Sequence, residues 1–454
     1  MLLRPLRRLI PSLRHARSYF QPRLFSTSPI RQLFGLRIPE ASNEPLAGTD
    51  GSGGPPLLFL LQVVIGLPTL LWIYKCLLLV AFQRRIIYLP SVPPGTRQES
   101  LKQDERTKER DSSLSGLEWK EVEIESSAPT RLLRRKVKLK GIELSWKGRE
   151  GIENGALKGE KLQKVVVLYL QGNAGTPLMR IPLFRQLLRP DIVRSSSTLS
   201  PFAGPSTTNA RPHTAAAPTG PDDLSILCVA PRSFWLSTRS TPTESSVLAD
   251  YSSALEYVYR QHGPSAKYIL YGHSLGGAAS ILLLDRFSIP PFSPSNCSTP
   301  ATHPTISGII LENPLPSIPR MVASLYPQKW LPYHYLGFAA FDRWDAIGRL
   351  QTRAERGGRR PIPSLWIRSG KDEIIPTGEE DDVRSMYKSW KAVEGDSGRD
   401  DNGISSKWVD VHGALHDTAY LERGWREGIQ EFLGRVTSMD ELGGVADDLN
   451  ERKV

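Results

Sequence analysis

The chain has 454 residues, room by length for two or three domains, and a formal net charge of +11. Residues 1–39 hold eight arginines with no lysine and no acid, so the rest of the chain carries only +3 (11 minus 8), an ordinary balance that argues against a nucleic-acid partner. Three cysteines, Cys76, Cys228 and Cys297, form no CxxC pair, which speaks against a disulfide framework and a cysteine-built metal site.

The arginine-, leucine- and serine-rich start has the composition of a mitochondrial presequence over 1–39, with Arg23–Ser28 (RLFSTS) resembling a processing site. The alternative is a basic tail on an anchor of the secretory pathway. Residues 57–82 follow, with no charge in their first 18 residues and Lys75 near the far end. At 1.5 Å per residue they reach about 39 Å, so one tilted transmembrane helix is expected. Arg84 and Arg85 close it. The expected setting is a single-pass membrane protein, mitochondrial inner membrane first and endoplasmic reticulum second. The two flanks disagree on which side holds the rest of the chain. The positive-inside tendency of Arg84 and Arg85 points to the matrix, a cleaved presequence with an arrested span to the intermembrane space.

One catalytic domain is expected over 83–440, with a tail at 441–454. "LEWKEVEIES" and "IELSWKG" read as an antiparallel strand pair. The basic run 131–140 between them reads as a solvated hairpin face, or as a surface drawn to anionic lipid. "KVVVLYL" (164–170), "LSILCVA" (224–230), "KYILY" (267–271), "SGIIL" (307–311), "PSLWIRS" (363–369) and "KWVDV" (407–411) read as strands. A helix from Glu244 has Val247, Tyr251, Ala254, Leu255 and Val258 on one face. Residues 191–222 and 286–304 are rich in Ser, Thr and Pro without apolar periodicity, and read as disordered insertions. Residues 313–350 read as irregular and as a small cap. Strands alternating with helices give an α/β class with a mostly parallel sheet covered on both faces.

"YGHSLGGAAS" (271–280) puts Ser274 between Gly272 and Gly276, on the turn from a strand into an apolar helix. That is the context of a nucleophile elbow, in which only glycines clear the turn and the helix N-terminus favours an oxyanion. A serine hydroxyl needs a histidine to take its proton and an acid to hold that histidine. Asp372 follows the 363–369 strand in "SGKDEIIP", with Glu373 as the second-choice acid. His412 and His416 follow the last strand in "HGALHDTAY". His416, further out on the loop, is the expected base and His412 a structural residue. The two histidines have no third metal ligand beside them, so neither metal nor cofactor is expected. The N–H of Leu275 and the N–H of Asn173 in "LQGNAGT" (170–176) are the expected oxyanion donors.

Together "YLQGNAG", "GHSLGG", "SGKDEIIP" and "GALHDT" resemble the membrane-tethered α/β-hydrolase-domain proteins of the bud-emergence-like group. That group is related to lysophospholipase- and serine-aminopeptidase-type hydrolases. "FQRRIIYLPSVPPGTR" (82–97) is similar to its linker. The resemblance, over about residues 80–435 without the insertions, implies the α/β-hydrolase fold, with Ser274 as nucleophile, Asp372 as acid and His416 as base. The sequence departs from the group in three places. Gln171 stands where histidine is usual, "RSFWLSTRS" (232–240) replaces an Arg-Gly-Tyr-Gly-type loop, and only Lys371 separates Gly370 from Asp372. The implied activity is hydrolysis of acyl esters through an acyl-enzyme. A peptidase or thioesterase on the same triad, or a scaffold without activity, are the alternatives. The aromatic-rich cap near a membrane anchor points to acyl chains drawn from the lipid phase, and the expected partners are the bilayer and a small acyl ester.

Overall fold

Runs of valine, isoleucine and leucine without charges meet in the middle of one sheet. The structure is a computed structural model that describes residues 57–99, 116–128, 136–146, 163–189, 192, 221, 223–287, 304–355, 362–377, 381–394 and 406–451. Among these, eight strands form one sheet: β1 (Leu117–Glu125), β2 (Lys138–Trp146), β3 (Lys164–Leu170), β4 (Asp223–Ala230), β5 (Lys267–His273), β6 (Ile306–Glu312), β7 (Ser364–Ser369) and β8 (Lys407–Val411). Their order is β1-β2-β4-β3-β5-β6-β7-β8. β2 pairs antiparallel with β1 and with β4, and every later pair is parallel. Each parallel strand therefore ends at the same edge, where loops from neighbouring strands converge. Residues 165–170 of β3 are all buried, as expected of strands covered on both faces.

The helices in chain order are α1 (Leu57–Leu61), α2 (Leu67–Ala81), α3 (Gln83–Ile87), α4 (Ile181–Leu187), α5 (Glu244–His262), α6 (Leu275–Phe287), α7 (Ile318–Leu325), α8 (Ala346–Glu355), α9 (Asp382–Glu394) and α10 (Arg423–Glu451). A π-turn, Gln62–Gly66, joins α1 to α2. Phe59–Ala81 forms one candidate membrane span, with mean hydropathy 2.1 and no buried residue in its apolar window. The sheet and the described loops between its strands lie within one compact unit, 66–454. α5 starts where Thr243 Oγ1 accepts the Ser246 N–H and Ser246 Oγ accepts the Thr243 N–H, a reciprocal cap. Its expected face, Val247, Tyr251, Ala254, Leu255 and Val258, is buried.

Three expectations change. The basic run is not all hairpin surface, because β2 begins at Lys138. Leu139 turns inward, while Lys138 and Lys140 both reach Glu123 of β1. Residues 313–350 are not irregular. They hold α7, a 3₁₀ segment Pro332–Ala339 and the start of α8, whose Ala346, Ile347 and Leu350 are buried in the core. The C-terminal helix α10 runs on to Glu451, past the expected domain limit at 440. The presequence, Cys297 and, apart from their edges, the insertions 191–222 and 286–304 lie outside the described residues.

Candidate active site

Ser274 sits between β5 and α6 with φ 55°, a left-handed backbone for a residue with a side chain. Such a conformation costs roughly 1–2 kcal/mol. Hydrogen bonds hold it there. Its N–H donates to the Glu312 carbonyl, and its own carbonyl accepts from the N–H groups of Gly277 and Leu315. The flanking glycines are obligatory. A Cβ on Gly276 would lie 1.9 Å from the Leu170 carbonyl oxygen, and one on Gly272 would lie 2.4 Å from Gly276 O and from Ser280 Oγ. Gly277 is equally confined, against Pro314 at 2.7 Å.

The expected oxyanion loop borders this turn. A Cβ on Gly172 would sit 3.5 Å from Ser274 Cβ, so the backbone before Asn173 passes beside the serine. The Asn173 carbonyl accepts from Leu89 N–H at 2.9 Å, and Gly175 N–H donates to Val92 O at 2.9 Å. These bonds tie the loop to the segment that follows α3. Leu275 is the first residue of α6, where a helix has no internal acceptor for its N–H groups. Gln171, which replaces the usual histidine, is buried, and neither its Oε1 nor its Nε2 has a hydrogen-bond partner.

Asp372 and His416 come together across the ends of β7 and β8. His416 Nδ1 lies 2.9 Å from Asp372 Oδ1 and 3.0 Å from Oδ2, with both side chains buried. Burial works against the Asp372 charge. His416 and the N–H groups of Ile375 and Ile374 outweigh it and hold the carboxyl below the usual range. Asp372 Oδ1 accepts both of those N–H groups at 2.9 Å, while Arg368 Nη1 donates to Oδ2 at 2.8 Å. The single residue between Gly370 and Asp372 thus leaves the acid within reach of the histidine. Glu373 lies outside this pair, and its carboxylate accepts the His416 N–H at 3.0 Å. His412 is exposed on the strand exit and makes no hydrogen bond to the acid.

Several residues of the site were not read from the sequence. Asn313, after β6 with φ 44°, donates to the His416 carbonyl at 2.8 Å and accepts from Ser369 N–H and from Arg368. His273 Nε2 bonds to the same His416 carbonyl at 3.0 Å, and the two imidazoles meet at a tilt of 54° with centroids 4.8 Å apart. Burial, then the Arg180 and His416 charges, push His273 well below the ordinary histidine value, so it is neutral. Glu312 is wholly buried at the end of β6. Tyr271 Oη donates to its Oε2, and Trp425 Nε1 donates to Tyr271 Oη at 2.9 Å. Burial raises the Glu312 carboxyl above its usual value. Two signals were present in the sequence: Arg368 is a charge inside the apolar run "SLWIRS", and Glu312 ends "SGIIL" with another. No group of three or more potential metal ligands occurs among the described residues.

The cap differs from expectation. Of its aromatic residues, Tyr333 is buried, whereas Trp330 (71%), Phe338 (77%), Phe341 (62%) and Tyr335 (54%) are exposed, so they form an outward face and not an enclosed pocket. Asp342, the candidate carboxylate for reading a free amine, is already used. Its Oδ2 pairs with Arg84 Nε at 2.9 Å and its Oδ1 accepts Glu244 N–H at 3.1 Å. The cap touches α2 at one end of this face: Trp72 and Trp330 have ring centroids 6.2 Å apart, and Lys75 Nζ lies 4.4 Å over the ring of the buried Tyr333.

No protein-family model and no curated protein matches the chain. Solved structures do. An esterase from Pyrococcus furiosus is 16% identical, covering 71% of this chain and 93% of its own, with a TM-score of 0.43. An alpha-beta hydrolase from Vibrio vulnificus is 13% identical over 77% of this chain and 92% of its own, with a TM-score of 0.45. Esterase LipW from Mycobacterium marinum is 12% identical over 74% and 86%, with a TM-score of 0.40. Those likenesses are too distant to carry chemistry. The sheet order with its antiparallel β2, and the left-handed serine between β5 and α6, are features of this chain itself, and they give it the α/β-hydrolase fold.

Proposed function

We propose that the chain is a membrane-anchored serine hydrolase that cleaves carboxylic acyl esters through Ser274, His416 and Asp372. The observation that carries the reading is the pairing of a strained serine on a glycine-lined elbow with a buried Asp372–His416 couple at the same sheet edge. With Nδ1 directed at Asp372, the His416 proton belongs on Nδ1 and Nε2 is left as the acceptor. Ser274 Oγ attacks the ester carbonyl carbon as Nε2 takes its proton. The carbonyl oxygen becomes an oxyanion, stabilised by the N–H groups of Leu275 and Asn173. Collapse breaks the bond to the alcohol oxygen, which leaves with the proton from His416, and the acyl group stays on Ser274. Water then attacks, giving its proton to His416, and the carboxylic acid departs as Ser274 Oγ recovers the proton.

The outward aromatic face supports a lipid source for the substrate. Trp72 lies nine residues before Ala81, about 13 Å along the helix, so a span at this position would carry Trp330 to a similar depth. Exposed aromatic and aliphatic groups at that level suit a hydrocarbon neighbour, at about 0.8 kcal/mol per buried CH₂. Lysophospholipid- or monoacylglycerol-like esters fit this position, and the membrane in question is the mitochondrial inner membrane, with the endoplasmic reticulum as the second choice. The engagement of Asp342 by Arg84 weighs against an aminopeptidase. The test uses the full chain in uncharged detergent with p-nitrophenyl esters of increasing chain length and aminoacyl-nitroanilides. Turnover that rises with acyl length supports the proposal. Preference for the shortest ester removes the lipid substrate, and faster anilide cleavage makes the protein a peptidase.

A further inference from the structure

α3 with the segment after it and the loop after β4 line an open cavity of about 580 Å³ on the side of the molecule where the apolar helix ends. One wall is Arg84, Arg85 and 88–92, and the other is Ser233 with 239–242, of which Ser233, Arg239 and Ser240 belong to the "RSFWLSTRS" stretch that departs from the resembled group. Arg85 and Arg239 line it from the two segments, together with Ser91, Ser240 and Thr241. The lining holds no carboxylate among the described residues. Arg84, on the same rim, is neutralised by Asp342, but Arg85 and Arg239 have no acidic partner among the described residues, and Arg85 rests on the Phe82 ring at 5.4 Å. Positive charge is in excess here. Burial, then the charge of Arg239, hold the neighbouring Arg97 below the ordinary arginine range.

Two arginines and three hydroxyl residues around one cavity are the donor set that suits a phosphate group, which guanidinium binds in bidentate fashion. We infer that the cavity is a binding site for the phosphate of an anionic phospholipid headgroup, held between Arg85 and Arg239. The position supplies the source. Arg85 is four residues past Ala81, where an apolar span would meet the headgroup layer and where basic residues attract anionic lipid. The inference rests on the membrane-anchored part of the proposed function and not on ester cleavage. The site also touches the catalytic edge. Leu89 and Val92 of its wall are the residues that hydrogen-bond Asn173 and Gly175 of the glycine loop. A headgroup seated against this wall would steady the loop that is to hold the oxyanion.

The test measures binding, so that it stands apart from turnover. The full chain in uncharged detergent is titrated with a fluorescent phosphatidic acid and followed by anisotropy. Arg85→Ala with Arg239→Ala should weaken binding by about tenfold or more, while Arg423→Ala, on the exposed C-terminal helix, should leave it unchanged. Thermal melting confirms that the variants fold. Should the double variant misfold, Arg239→Ser and a salt series on the unaltered chain decide. Raising salt from about 0.05 to 0.5 M should weaken binding strongly, because charge contacts at an open site are screened. Unchanged affinity in the arginine variants, or insensitivity to salt, overturns the site. Competing arms use inorganic phosphate and glycerol 3-phosphate. If these bind as tightly as the lipid, the ligand is a soluble phosphate compound and the lipid assignment is overturned.

Discussion

Asp372 reaches His416 through a carboxylate that already accepts two backbone N–H groups and an Arg368 guanidinium, so the acid is fixed before the histidine is counted. Its charge is held by the site and not by solvent. Asp372→Asn should therefore leave the fold in place and lower turnover by about 10³–10⁴-fold, through loss of the required His416 tautomer. Steady-state kinetics with a soluble ester checks this, and a change below tenfold would remove Asp372 from the mechanism.

Ser274→Ala should abolish labelling by a fluorophosphonate while the melting temperature stays the same or rises. Removing the hydroxyl touches no bond that supports the turn, since those bonds all use the backbone. Gly276→Ala should behave oppositely and fail to yield folded protein, because its Cβ would overlap the Leu170 carbonyl. Retained labelling in Ser274→Ala would assign the nucleophile elsewhere.

His416→Ala should lose several orders of magnitude in turnover, since the members of such a triad act as a unit. His412→Ala, at an exposed position outside the Asp372–His416 couple, should stay within a few-fold of the unaltered chain. The reverse order would make His412 the base.

Glu312 sets a pH dependence of stability. Its carboxyl is raised in the folded chain, so folding favours the protonated form. Stability from this group is fullest below the unfolded carboxylate value, about 4.3, and is lost as pH rises from there through the folded value. Glu312→Gln keeps an acceptor for Tyr271 and cannot ionise. Its melting temperature should exceed that of the unaltered chain by more at pH 8 than at pH 4. An equal gain at both pH values would show that the group does not titrate in this range.

The Arg232–Asp250 pair is a second buried charged couple in addition to Asp372–His416. Arg232 donates from Nε and Nη2 to both oxygens of a fully buried Asp250. Arg232→Ala would strand that carboxylate and should cost about 3–5 kcal/mol in denaturant unfolding. A loss under 1 kcal/mol would mean that Ser126 and the Arg232 N–H suffice.

Local pattern placed Ser274, Asp372 and His416 at the ends of apolar runs, and the structure has each of them shortly after a strand. Even the shortened "SGKD" turn left Asp372 in reach, since the strand exit sets its position. What local pattern lacks is the partner across the sheet. That β4 inserts between β2 and β3, and that Asn313 meets His416 from 103 residues away, are decided by long-range pairing. The cap was misread for a related reason. "YPQKWLPYHYLGFAAF" has neither helical nor strand period, and its 3₁₀ segment takes its shape from packing on Pro319 and α2. Lys138 and Lys140 looked like free charge until Glu123 was placed opposite them.

The joint between α2 and the cap has no slack. Gln83 accepts from Phe341 N–H and donates to the Ala339 carbonyl, Arg84 pairs with Asp342, and Trp72 and Lys75 touch the cap further back along the helix. A long leash would let a tethered enzyme sample an opposing membrane or the surrounding solution. In the proposed setting, a catalytic unit splinted to its own anchor would search in two dimensions and keep one orientation to one leaflet. In the bilayer setting proposed above it acts in cis, on lipids that diffuse laterally to it.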